Sequence, residues 1–311
     1  MAIVEVRDLR KAFGDFEAVR GISFEVDRGE IFGFLGPNGA GKSTTIRMLC
    51  GLLAPSSGTA IVAGVDVVRD PEGVKRRLGY MSQRFSLYQD LSVDENLRLF
   101  SALYGLSGER FERRRAWALE LLRLSGRERS RVGELPGGVR QSLALACALL
   151  HEPEVVFLDE PTGGVDPLMR RTFFDLIDEI AAAGTTVFLT THFLDEAEYC
   201  NRCAFIAAGR LIALGTPEQL KRRLSDHVIL ELRTRQPRPV LAAVSSMPEV
   251  LEAPVFGAGV HAMGRAGVAE APLRDAIVRS LRARGLEVPP IARVPPTLED
   301  VFIRLASEAG S

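Results

Sequence analysis

The chain has 311 residues, with 39 basic against 40 acidic side chains. Its length predicts one large domain followed by a smaller one, and its near-zero charge argues against a nucleic-acid partner, because such affinity rests on many phosphate contacts. The longest clean apolar runs, such as residues 143–150, fall well short of the roughly 20 residues that span a bilayer.

Residues 3–9 and 22–26 alternate as half-buried strands, while residues 31–35 are nearly all apolar, as a strand covered on both faces would be. No basic and apolar leader precedes the first strand, so the chain is expected to stay in the cytoplasm. A helix is predicted over residues 44–53, ended near Pro55. From about 85 to 150 the spacing turns helical, a helical insertion between strands. Short apolar strands return at 155–158, 185–191 and 204–208, the first two separated by a helix at about 169–183. The pattern is α/β, a parallel sheet with crossover helices. A boundary is expected near Asp226, giving domains over 1–225 and 226–311. The second contains a strand at 227–233, an amphipathic helix at 272–284 and a closing helix at 297–306.

Four scattered cysteines do not make a disulfide framework. Cys200 and Cys203 have a Cys-x-x-Cys spacing, but no second pair completes a zinc site, and burial is the simpler reading. The basic clusters at 75–77 and 113–115 read as solvated helix faces.

Gly36-Pro37-Asn38-Gly39-Ala40-Gly41-Lys42-Ser43-Thr44 lies between an apolar strand and a helix, the setting of a phosphate-binding loop. Its glycines let successive N–H groups point inward, and the helix start adds positive dipole. Lys42 supplies charge to the β- and γ-phosphates of ATP, and Ser43 offers a hydroxyl to Mg2+. Asp159 and Glu160 stand where a buried strand emerges. There the first carboxylate can hold Mg2+ and the second can face an attacking water.

With Gln83, Leu135-Pro136-Gly137-Gly138-Val139-Arg140-Gln141 and His192, these segments occur in one order and resemble an ABC-type ATPase. The resemblance implies a RecA-like parallel sheet core with an antiparallel β subdomain and a helical subdomain, plus a small C-terminal α/β domain. It implies that Glu160 is the general base, that Gln83 touches Mg2+ or the water, and that His192 bonds the γ-phosphate. Residues 135–141 match the family signature, which covers ATP held by a second subunit, so Gly137 and Gly138 belong to a site built across a two-fold dimer interface. Asp166, in Thr162-Gly163-Gly164-Val165-Asp166, matches the loop linking the two sites. Two positions depart from the family: Pro136 stands where a serine would donate to the γ-phosphate, and Val139 replaces a glutamine. Phe13 resembles the aromatic that stacks on adenine, with core packing as the rival reading.

Further stretches, among them Tyr80-Met81-Ser82-Gln83 and Thr190-Thr191-His192-Phe193-Leu194-Asp195-Glu196, resemble the ATPase subunits of bacterial drug-resistance-type exporters. This implies a separate ABC permease in the membrane, a homodimer or a heterodimer with a related ATPase, a peripheral location on the cytoplasmic face, and no nucleic acid. A soluble ABC ATPase acting on DNA or the ribosome is the alternative. It is disfavoured because no long coiled coil separates the glycine loop from the signature and no second glycine loop follows. Phe85-Ser86-Leu87-Tyr88 reads either as a permease docking patch or as core. The second domain is open to dimer support or regulation.

Overall fold

The computed structural model describes residues 1–83 and 87–310. It divides into two compact units, Met1–Leu214 and Gly215–Ser311, a division earlier in the chain than the expected boundary at 225.

The first unit begins with a long hairpin, β1 (Ala2–Phe13) and β2 (Phe16–Asp27), followed by the buried strand β3 (Ile31–Leu35) and helix α1 (Lys42–Leu49). Then come β4 (Ser57–Val62), β5 (Val65–Asp66), α2 (Pro71–Arg77) and β6 (Leu78–Met81). The helical insertion holds α3 (Val93–Leu103), α4 (Gly108–Leu121) and α5 (Gly137–Leu149). After it, β7 (Val155–Asp159), α6 (Pro167–Ala182), β8 (Thr186–Thr191), β9 (Arg202–Ala207) and β10 (Arg210–Gly215) complete the sheet.

Two sheets result. The antiparallel one runs β2-β1-β4-β5, and the other runs β10-β9-β3-β8-β7-β6 with parallel pairing from β9 to β6. Phenylalanines join them: Phe24 of β2 lies 5.6 Å from Phe32 and from Phe34, and Phe188 of β8 touches all three and Phe157 at 5.2–6.0 Å. Each such ring pair adds about 0.5–1.5 kcal/mol beyond burial, so one face of the strand that feeds the glycine loop is held against the antiparallel sheet.

The insertion is tied down by polar contacts. Ser92 and Glu95 form a capping box on α3, and the buried Asn96 brackets the backbone of Tyr88, accepting from its N–H at 2.9 Å and donating to its carbonyl at 3.0 Å. The 113–115 cluster is less solvated than its sequence suggests. Arg114 stacks on Trp117 at 3.8 Å and donates to the Leu149 carbonyl at 2.9 Å, and Arg115 pairs with Asp94. The Cys200 and Cys203 thiols are buried and donate to the carbonyls of Glu196 and Ala197.

In the second unit, α7 (Pro217–Arg222) precedes β11 (Ile229–Arg233), α8 (Pro237–Ser245), β12 (Val250–Glu252), β13 (Val255–Phe256), β14 (Gly259–Gly264), α9 (Glu270–Ala283), β15 (Ile291–Val294) and α10 (Leu298–Gly310). The sheet order β12-β14-β11-β15 with this β-α-β-β-α-β succession is a ferredoxin-like topology. Leu230, Leu232, Val260 and Ala262 share one face in a core with Val240 and Val244 of α8 and Leu273 and Ile277 of α9. On the opposite face His261 bonds Asp300 of α10 at 3.0 Å, both fully buried.

Candidate functional site

Parallel register brings four strand ends together. Leu35 aligns with Thr191, Thr190 with Asp159, and Leu158 with Met81. The residues that follow these ends (the glycine loop, His192, Glu160 and Gln83) therefore share one edge of the sheet, where open α/β sheets place their ligands.

Lys42 begins α1 and is 4% exposed. Its ammonium donates to the carbonyls of Gly36 and Pro37 at 2.8 and 3.2 Å and lies 3.1 Å from Glu160. Gly41 caps this helix with φ 106°, a left-handed conformation that a side chain resists, and a Cβ there would meet the Ala18 carbonyl at 2.6 Å. Ala40 is buried in the turn, its N–H donating to Pro37.

Glu160 is 8% exposed and has φ 49°, a conformation that costs a non-glycine residue energy and concentrates at functional sites. Its N–H is held by Thr190, through the carbonyl at 3.1 Å and the hydroxyl at 3.0 Å. Its carboxylate accepts from Gln83 at 2.9 Å and lies 3.3 Å from His192 Nδ1, a close approach that is not a hydrogen bond. One carboxylate is thus met by Lys42, Gln83 and His192.

Next to it, Asp159 Oδ1 accepts from Ser43 at 3.0 Å and Thr190 at 2.7 Å. Burial pushes the nearby Tyr80 hydroxyl up to about 12, with Asp159 adding to the shift. Ser43, Asp159 and the Gln83 amide offer hard oxygen donors in small number. Among the described residues no group of three or more His, Cys, Asp or Glu gathers to cage a metal. That donor set fits Mg2+, which takes one or two carboxylates and completes its shell with phosphates and water.

A cavity of about 420 Å3 opens above these groups, lined by Phe13, Phe16, Asn38, Gly39, Gly41, Lys42, Ser43, Thr44, Gln83 and Glu160. Phe13 and Phe16 are 50% and 61% exposed, directly opposite one another at the hairpin tip. Core packing is therefore not the role of Phe13, and Phe16 is a second open aromatic that no motif signalled.

Gly137, Gly138 and Asp166 do not line this cavity. Gly137 is exposed with open space around it, whereas a Cβ on Gly138 would press on Met169 at 2.5 Å. Pro136 is the N-cap of α5 and gives it no side-chain bond. Asp166 caps α6, accepting from Leu168 and Met169 at 3.1 Å. Of the expected docking patch, Phe85 and Ser86 lie outside the described residues, Leu87 is buried and Tyr88 is 56% exposed.

Comparison with known proteins agrees with this geometry. Residues 19–163 match the family described as ABC transporter. Over 98% of its length the chain is 37% identical to the daunorubicin resistance ATP-binding protein DrrA3 of Streptomyces coeruleorubidus, covering 96% of that protein. The chain belongs to the ATP-binding subunits of ABC transporters. It is also 52% identical to the probable multidrug ABC transporter ATP-binding protein YbhF of Escherichia coli, over 70% of this chain and 38% of that protein. The chain therefore spans little more than a third of that relative's length. Among solved structures, cbiO1 from Clostridium perfringens, part of the ABC transporter complex cbiONQ, superposes with a TM-score of 0.65 at 28% identity, covering 72% of this chain and 94% of that one. This ABC subunit thus has the α/β cassette fold expected for it, and its relatives carry multidrug and drug-resistance names.

Proposed function

We propose that this subunit is the ATP-hydrolysing motor of an exporter, working as a dimer on a separate membrane permease. The observation that carries the reading is the convergence of Lys42, Gln83 and His192 on the carboxylate of Glu160, at the mouth of a cavity floored by Ser43 and Asp159. Lys42 and the loop N–H groups bind the phosphates of ATP, and Phe13 and Phe16 offer ring faces to its base. Glu160 takes the proton of the attacking water, and Gln83 and His192 orient that water and the γ-phosphate. Ser43 and Asp159, with Gln83 beside them, would hold Mg2+, which would supply charge neutralisation at the phosphates.

Gly137 stands exposed with nothing near it, free to approach the ATP of a second subunit, and Asp166 marks the loop that faces the same partner. The resistance names of the relatives support export as the direction, and we place the subunit at the cytoplasmic face of the membrane, beside its permease. Among the described residues no helix is long and apolar enough to cross a membrane. The test is a pull-down of tagged Glu160→Gln protein with ATP from detergent-solubilised host cells. Recovery of a polytopic membrane protein is the expected result; ribosomal or DNA-bound proteins alone would overturn it in favour of the soluble class.

Pro136 gives a second expectation. A serine there would cap α5, worth about 0.5–2 kcal/mol, and restore a donor toward the partner's nucleotide, worth about 1.5–3 kcal/mol if charge-assisted. Pro136→Ser is expected to raise the ATPase rate and the fraction of ATP-driven dimer, read by phosphate release and light scattering. An unchanged rate with unchanged dimerisation removes this role from the position.

A further inference from the structure

Glu196 is a fully buried carboxylate outside the nucleotide cavity. Its oxygen Oε1 accepts from the Thr162 hydroxyl and lies 3.3 Å from Arg170 Nε. Burial pushes this carboxyl up, opposed by the Thr162 and Thr191 hydroxyls and by the Arg170 charge. A buried ion pair of this kind is weak support for stability, since desolvation offsets much of its attraction. Its place in the fold points elsewhere.

Thr162 and Arg170 flank the 162–166 loop. Thr162 follows Glu160 by two residues, and Arg170 lies on the first turn of α6, bonded through its N–H to the Asp166 carbonyl at 2.9 Å. Between them, Gly163 and Gly164 lend the loop no side-chain contacts: a Cβ on Gly163 would meet only the Glu160 carbonyl at 3.4 Å, and one on Gly164 would meet nothing. The loop's own bonds are few, from the Gly163 N–H to the Glu160 carbonyl at 3.2 Å and from the Val165 N–H to the Thr162 carbonyl at 3.1 Å, and Glu196 ties its two ends together through side chains. Arg170 also stacks on the Phe193 ring at 4.1 Å, and that ring lies 4.1 Å from the ring of His192. The same pair thus reaches both the loop after Glu160 and the histidine facing it.

We propose that Glu196 and Arg170 are positioning residues, a clamp that sets the 162–166 loop and His192 relative to Glu160. The inference rests on the hydrolytic reading of Glu160. Neither residue touches the cavity around Lys42, so the clamp acts on turnover and not on nucleotide binding.

The test is steady-state ATP hydrolysis by the purified full chain, with thermal unfolding as a control for folding. Glu196→Ala removes both ties and is expected to lower kcat by about 10–100-fold, the size of effect that small misplacements of reacting groups produce, with KM for ATP within about 3-fold. Glu196→Gln keeps an oxygen for Thr162 and loses the charge facing Arg170, so its kcat should fall between wild type and Glu196→Ala. If Glu196→Ala does not fold, Thr162→Val cuts one tie and leaves the ion pair; it should lower kcat several-fold at constant KM. Variants that fold and turn over like wild type overturn the clamp, as does a loss in which kcat only tracks the folded fraction. A wild type that releases no phosphate would instead sink the proposed function beneath it.

Discussion

Glu160→Gln is expected to lower kcat for ATP hydrolysis by about 10²–10⁴-fold, the usual contribution of a positioned general base, while ATP affinity changes by no more than a few-fold. The amide is isosteric and can still accept from Gln83, but it cannot take a proton from water. Glu160 is also a competitor for Lys42, since its carboxylate lies 3.1 Å from the ammonium that must serve the phosphates. Removing its charge releases Lys42, so ATP binding should be unchanged or tighter. Phosphate release at saturating ATP and equilibrium dialysis with labelled ATP separate the two effects. Turnover within 3-fold of wild type would show that another group receives the proton.

The residues around Glu160 were legible in the sequence because phosphate chemistry demands fixed spacings. The glycine loop and the Asp159-Glu160 pair could be named from their own chemistry, and His192 through the family resemblance, before their strands were known to be neighbours. Their convergence could not, because register among β3, β8, β7 and β6 joins segments 31 to 156 residues apart. Short periodic runs were read too short: β1 and β2 extend to Phe13 and Phe16, past polar residues that alternate on an exposed face. Phe16 escaped notice for that reason, having no motif position of its own. β4, with its first three residues exposed, gave little pattern, yet it pairs with β1 to build the antiparallel sheet.

Buried polar residues were the least legible. Glu196 sits in Asp195-Glu196-Ala197-Glu198, which reads as a solvated acidic run, and only the fold shows that this carboxylate faces Thr162 and Arg170. His261 interrupts β14, and its partner Asp300 is 39 residues away on α10. The β-α-β-β-α-β order of the second unit was likewise hidden, since β12 and β13 have three and two residues. Charge patterns carry no record of what lies opposite them in space, so a buried carboxylate and a solvated one look alike in one dimension.

Lys42→Met is expected to raise the Kd for ATP by about 10²–10⁴-fold, the loss of two charge-assisted bonds to phosphate at about 1.5–3 kcal/mol each. The same change should also destabilise the free protein. The ammonium donates to the Gly36 and Pro37 carbonyls and pairs with Glu160, and an apolar side chain leaves a buried carboxylate without its cation. Breaking such pairs costs about 3–5 kcal/mol, with the lower end expected because Gln83 continues to donate to Glu160. The double variant Lys42→Met, Glu160→Gln removes the orphaned charge and should recover part of that stability without recovering ATP binding. Thermal unfolding of the two single variants and the double variant measures their coupling, and calorimetric titration with ATP measures affinity. A double variant no more stable than Lys42→Met would mean that the ion pair does not hold the loop. An unchanged Kd in Lys42→Met would leave the backbone N–H groups of the loop as the main phosphate contact.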